Sequence, residues 1–139
     1  MLQLVNAGHK SLADYATIAT RGLMDEIRRL AEPLQDKRVV HLSATAFGGG
    51  VAEINYTLVP LMGDVGLDVE WRIIQGAEEF YNVTKAIHNA LQGDPRSLTP
   101  AEVEIFRRYN TLNAELLPAD DYDFVIVHDP QPAAMIDHF

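Results

Sequence analysis

Cysteine is missing from all 139 residues. Its absence excludes disulfides, thiolate metal sites and a thiol nucleophile, and fits a cytoplasmic protein. Cations are scarce: 11 lysines and arginines stand against 20 aspartates and glutamates, for a formal charge of -9. A field of that sign repels nucleic acid phosphates and anionic membrane surfaces, so neither is an expected partner. No stretch approaches the roughly 18 apolar residues of a membrane helix. Met1–Lys10 has no positive segment followed by an apolar run, so no signal peptide is expected there. The chain contains no internal repeat, linker, low-complexity segment or Gly-x-Ser-x-Gly elbow.

What is present is an ordinary globular composition, 47% hydrophobic, with enough apolar residues for one core. The spacing of Leu12, Tyr15, Ala16, Ala19, Leu23, Ile27 and Leu30 predicts a helix over 11–32, with Ser11 as N-cap, Asp14 three residues on and Pro33 as the stop. Arg38–Ser43 reads as a buried strand, followed by a helix from Val51 to about Val65. A second strand spans Leu67–Ile74. A helix then covers about Glu78–Gln92, its stripe of Phe80, Val83, Ile87, Ala90 and Leu91 expected to face the core. Thr99, Pro100 and Glu102 form a complete capping box opening a further helix, with Val103, Phe106, Tyr109, Leu112 and Leu116 on one face. Phe124–Val127 is a continuous apolar strand of the kind covered on both sides, and a last helix is expected from Ala133.

Alternating strands and helices indicate an α/β fold with a parallel sheet and right-handed crossovers. The expected local order is second, first, third strand. Ligands bind such sheets beyond the strands' carboxyl ends, where the winding reverses. The loops at Gly48–Gly50 and His128–Gln131 leave the two strands that flank that point, so they should face each other across one crevice. Three strands are few for this architecture, and the expectation is therefore part of a larger protein. An open sheet edge favours self-association, which leaves a homo-oligomer as an open expectation.

Three constellations carry polar chemistry. Phe47-Gly48-Gly49-Gly50-Val51-Ala52-Glu53 lets the backbone approach a ligand and offers helix N–H groups to an anion. Its third glycine is misplaced for a dinucleotide fingerprint and no Gly-Lys-Ser/Thr follows for a P-loop, and a tight turn with no ligand fits equally well. On the helix after the second strand, Tyr81, Asn82, Lys85, His88, Asn89 and Gln92 share one arc, a hydrogen-bonding set suited to a polyol or a plain solvated face. His128-Asp129-Pro130-Gln131-Pro132 could bind sugar hydroxyls or support acid–base work; equally, Asp129 could cap the next helix. No metal site is expected, because the histidines lie in separate elements and no third ligand has suitable spacing.

Taken together, GGGVAEI, EFYNVTKAIHNALQGDP and VIVHDPQPAAMI resemble the trehalose glycosyltransferring synthases of glycosyltransferase family 4, from about Leu12 to the end of the chain. Asn82–Gly93 is the most specific of these phrases. The resemblance implies the N-terminal, acceptor-side, Rossmann-like portion of a truncated two-domain GT-B enzyme, with its C-terminal nucleotide-sugar domain absent. Such an enzyme transfers glucose from a nucleoside-diphosphate glucose to glucose with retention, giving trehalose, and needs no cofactor. The resemblance places His128 and Asp129 as catalytic candidates, with Gly48, Gly49, Gly50, Glu53, Asn82, Lys85, His88, Asn89 and Gln131 as substrate-binding candidates. It also implies that this chain alone is inactive. Retaining trehalose phosphorylases are similar over the same segments, and a non-catalytic α/β module that binds a small ligand or a partner protein is the alternative from another class.

Overall fold

The computed structural model describes Met1–Phe139. Its apolar runs become strands β2 (Arg38–Ser43), β3 (Asp68–Ile73) and β4 (Phe124–Val127), with β2 pairing parallel to both of the others. A two-residue strand, β1 (Gln3–Leu4), adds antiparallel to the far side of β3, giving the order β1-β3-β2-β4. The order of the three parallel strands is the expected one; β1 was not foreseen and makes the sheet mixed. Two residues carry too short a pattern to read, and tertiary contacts fix the segment instead. Arg72 Nη1 donates to Leu2 O at 2.9 Å and Val5 N–H to Trp71 O at 2.8 Å.

Four helices flank this sheet: α1 (Arg21–Ala31), α2 (Gly49–Asp64), α3 (Glu78–Leu91) and α4 (Pro100–Glu115). Alternation along β2 sends its side chains to two different layers. Val40 and Leu42 join Phe80, Leu117 and Met135 in a core built with α3 and α4. On the other face Trp71, from β3, packs with Ala52 and Val59 of α2, and Tyr56 meets its ring edge-on at 5.0 Å. Helices on both faces of a mostly parallel sheet make this a Rossmann-like α/β layer architecture. No helix is long and apolar enough to cross a membrane.

The capping boxes at Ser11–Asp14 and Thr99–Glu102 are both formed. The expected helix over 11–32 is not continuous. Leu12–Tyr15 is a short 3₁₀ turn, and Thr20, in extended conformation, starts α1 by accepting from Leu23 N–H. A second N-cap inside the apolar pattern therefore overrides its periodicity. Burial follows Leu12, Met24 and Ala31, while Leu23 and Leu30 stay exposed. Two other stripes also shift. Ala90 and Leu91 extend past the sheet into solvent, and in α4 Leu112 is exposed whereas Asn110 and Asn113 are buried. The asparagines go inside because each has backbone to satisfy: Asn113 donates to Gln75 O and accepts from Gln75 N–H, and Asn110 donates to Gln131 O. After β4 the chain forms a 3₁₀ segment, Ala133–His138, in place of the expected α-helix.

Candidate active site

The loop after β2 is held from within. Trp71 Nε1–H donates to Ser43 Oγ at 2.8 Å, and the Thr45 hydroxyl accepts from Phe47 N–H while donating to Phe47 O. Two consecutive glycines then take positive φ, Gly48 at 69° and Gly49 at 79°. Gly48 combines that φ with ψ 150°, a region essentially closed to side chains. No side chain caps α2, so its first N–H groups are free for a ligand. After β4, Asp129 is also left-handed, with φ 65°.

These two loops form the walls of one cavity of about 510 Å³ at the carboxyl ends of β2 and β4. Gly48, Gly49 and Gly50 line one side; Asp129, Gln131 and His88 line the other. A second hollow of about 290 Å³ adjoins it, sharing His88, Asp129 and Gln131 and adding Tyr81, Thr84 and Lys85. Gln131 lines both hollows, and its Oε1 is shielded from solvent with no partner in the chain. A buried acceptor left unpaired is costly unless something donates to it. The Gln92 amide donates to His88 Nε2 at 2.9 Å, which orients the imidazole. A hollow of about 550 Å³ lies elsewhere, between residues 4–9, α2 and β3. It receives neither loop, and the polar convergence favours the two-part cavity.

The other sequence candidates are placed differently. Asn82 and Asn89 are exposed and line neither hollow, because they sit about 100° round the helix from the Tyr81–Lys85–His88 line. Glu53 is exposed on the outer side of α2, in a shallow groove with Ile54, Thr57 and Leu58. His128 is half-buried, is not among the residues lining either hollow, and bonds to His41, Nε2 to Nδ1 at 2.9 Å.

The profile of the family described as "Trehalose synthase, N-terminal domain" matches residues 41–139, which includes both loops and all of α3. The chain belongs to the trehalose synthase N-terminal domain family. Curated relatives named trehalose synthase align along nearly its full length. That of Rubrobacter xylanophilus is 56% identical over 135 residues, covering 96% of this chain and 32% of the relative. The Thermococcus litoralis protein is 47% identical over 131 residues, covering 94% of this chain and 32% of the relative. The Pyrococcus horikoshii protein is 42% identical over 135 residues, with shares of 96% and 32%. The chain therefore spans about a third of the length of the relatives it matches.

Within this trehalose synthase N-terminal domain, pattern reading passed over His41, which bonds to His128, and Asn55, which lies beside His41. His41 was read as part of a strand and set aside as a metal ligand, and Asn55 as one position of an apolar helix; both are fully buried. A histidine inside Arg38–Ser43 and an asparagine among apolar neighbours were the available signals. Burial first, and then the charge of His128, lower the pKa of His41 from 6.5 to about 4 and keep it neutral. Asn55 lies near enough to oppose this, although neither its amide nor His41 Nε2 makes a hydrogen bond of normal geometry. Burial also lowers the pKa of His128, against the pull of the Asp129 carboxylate.

Both depressed values link folding to protons in the same direction. The folded state refuses a proton that the unfolded chain accepts; for His41 this stabilisation is present above pH 6.5 and is lost as pH falls toward 4. Between pH 7 and about 5 most carboxylates stay ionised, and the His41 share of the loss should be about 1–2 kcal/mol. Urea midpoints across that range should fall, and His41→Asn should flatten the slope. An equal slope in the variant would show that other groups carry the acid sensitivity.

Proposed function

We propose that this chain supplies the acceptor side of a retaining glucosyl transfer that makes trehalose from a nucleoside-diphosphate glucose and glucose. The observation that carries the reading is the shared cavity, in a trehalose synthase N-terminal domain, where free helix N–H groups behind Gly48–Gly50 face Asp129, Gln131 and His88. The glycine loop approaches the donor's diphosphate, where N–H groups stabilise the charge that develops on the leaving group. Asp129, Gln131, His88 and Lys85 offer the mixture of acceptors and donors that sugar hydroxyls require. Asp129, which lines both hollows, supports the proton at the reacting hydroxyl, and His128 adjoins it in sequence at the end of β4.

The cavity wall contains no arginine or lysine, and Lys85 lies only in the adjoining hollow. N–H groups alone are a weak clamp for a leaving diphosphate, so the chain by itself is expected to give no trehalose above background. Fusing it to the remaining two thirds of the Rubrobacter xylanophilus relative should give trehalose from nucleoside-diphosphate glucose and glucose. In that fusion, Lys85→Ala and His88→Ala should each lower kcat/KM about tenfold or more without lowering the melting temperature, the scale of a lost charged hydrogen bond. A folded fusion that makes no trehalose, or variants with normal turnover, would overturn the reading.

A further inference from the structure

In a parallel sheet, laterally paired residues share a face. His41 pairs with Trp71 on β3 and Ile126 on β4, so it points to the α2 layer, and His128, two residues beyond Ile126, continues that face. The imidazole planes lie within 21° of each other, with ring centroids 5.1 Å apart. With the nearest nitrogens at 2.9 Å, that separation is close to one hydrogen bond plus two ring radii. The rings are therefore joined edge to edge in a shared plane, as in a hydrogen-bonded imidazole chain, and not stacked face to face. His41 is completely enclosed, and its other nitrogen, Nε2, has no partner of good geometry. Neither has either end of the Asn55 amide, which is equally enclosed on the second turn of α2.

One contact between two neutral imidazoles couples their tautomers, because one nitrogen must carry a proton and the other must not. If His41 Nδ1 donates, both rings carry their proton on Nδ1. If His128 Nε2 donates, both carry it on Nε2, which is the form a neutral imidazole intrinsically prefers. In the second arrangement His41 Nε2–H turns to the Asn55 oxygen, and His128 keeps a bare lone pair on Nδ1. We propose that His41, backed by Asn55, is a positioning residue that holds His128 as the Nε2–H tautomer, so that Nδ1 is available to accept a hydrogen bond from a sugar hydroxyl. The sugar rests on the functional reading above; the tautomer lock does not. His128 and Asp129 are the charged or titratable groups acting on this pair; Trp71 from β3 and Asn55 from α2 carry no charge.

The test is long-range ¹H–¹⁵N spectroscopy of the imidazoles in this chain at neutral pH, with no sugar present. The wild type should show His128 as a single Nε2–H tautomer. His41→Leu removes the acceptor and should give a mixture of both tautomers. His41→Asn, whose Oδ1 can take the place of Nδ1, should restore the single form. A wild-type His128 protonated on Nδ1, or an unchanged tautomer in folded His41→Leu, would overturn the proposal. Should the leucine variant fail to fold, the wild-type spectrum still decides. Because no ligand enters, a failed lock is distinct from a failed glucosyl-transfer reading, which the fusion assay addresses.

Discussion

Replacing Phe80 with alanine should destabilise the chain by about 3–5 kcal/mol, a large part of the roughly 5–15 kcal/mol available to a domain. Phe80 is fully buried in the first turn of α3, with its ring 5.0 Å from that of Tyr109 and 6.4 Å from that of Phe106. It also presses on the backbone: a Cβ built on Gly76 would lie 2.4 Å from Phe80 Cδ1. The effect should extend to the candidate site, because the same helix carries Tyr81, Thr84, Lys85 and His88 to the smaller hollow. Urea denaturation measures the loss, and a value below about 1 kcal/mol would mean that α3 is seated by other contacts. Gly76→Ala adds a check. It should be costly in the wild type and much less so beside Phe80→Ala, a coupling expected only if the ring creates the constraint.

Gly48→Val should cost about 3 kcal/mol, the upper end for backbone strain, although a Cβ there meets nothing within 4 Å. The penalty is conformational: φ 69° with ψ 150° is closed to a β-branched residue, so the loop must either strain or rearrange. Gly50, two residues on and inside α2, has ordinary helical geometry and equally open space. Gly50→Ala should therefore stabilise by about 0.5–1 kcal/mol while narrowing the cavity it lines. Opposite signs at neighbouring glycines would be read directly from thermal melts. Equal losses at both positions would mean that the loop is held by packing and not by its backbone angles.

The layer order, the parallel core of the sheet and the facing loops could be read because each rests on local rules: apolar runs, caps, and the tendency of α/β crossovers toward one hand. What escaped depends on partners distant in sequence. Leu112 was expected inside by periodicity, but Asn113 is buried because the Gln75 backbone, 38 residues earlier, needs its amide. His41 looked like strand filling because its partner lies 87 positions away. On α3 the polar arc divides: Tyr81, Lys85 and His88 line the smaller hollow, while Asn82 and Asn89 lie further round the helix. Gln131 was selected as a ligand contact, and only the fold reveals its unpaired oxygen.

The small strand β1 has a consequence for synthesis. Gln3 pairs with Ile73, so this segment cannot take its place in the sheet until seventy further residues have been made. At about 5–20 residues per second that delay lasts several seconds, to which passage through the ribosomal tunnel is added. Strand β2 waits longer for its second neighbour, since Val39 pairs with Phe124. Leu2, Val39, Val40 and Leu42, all buried in the finished fold, are thus exposed together on the nascent chain. A slowed ribosome, or a bulky tag ahead of Met1, would prolong the interval in which chaperones and other nascent chains compete for them.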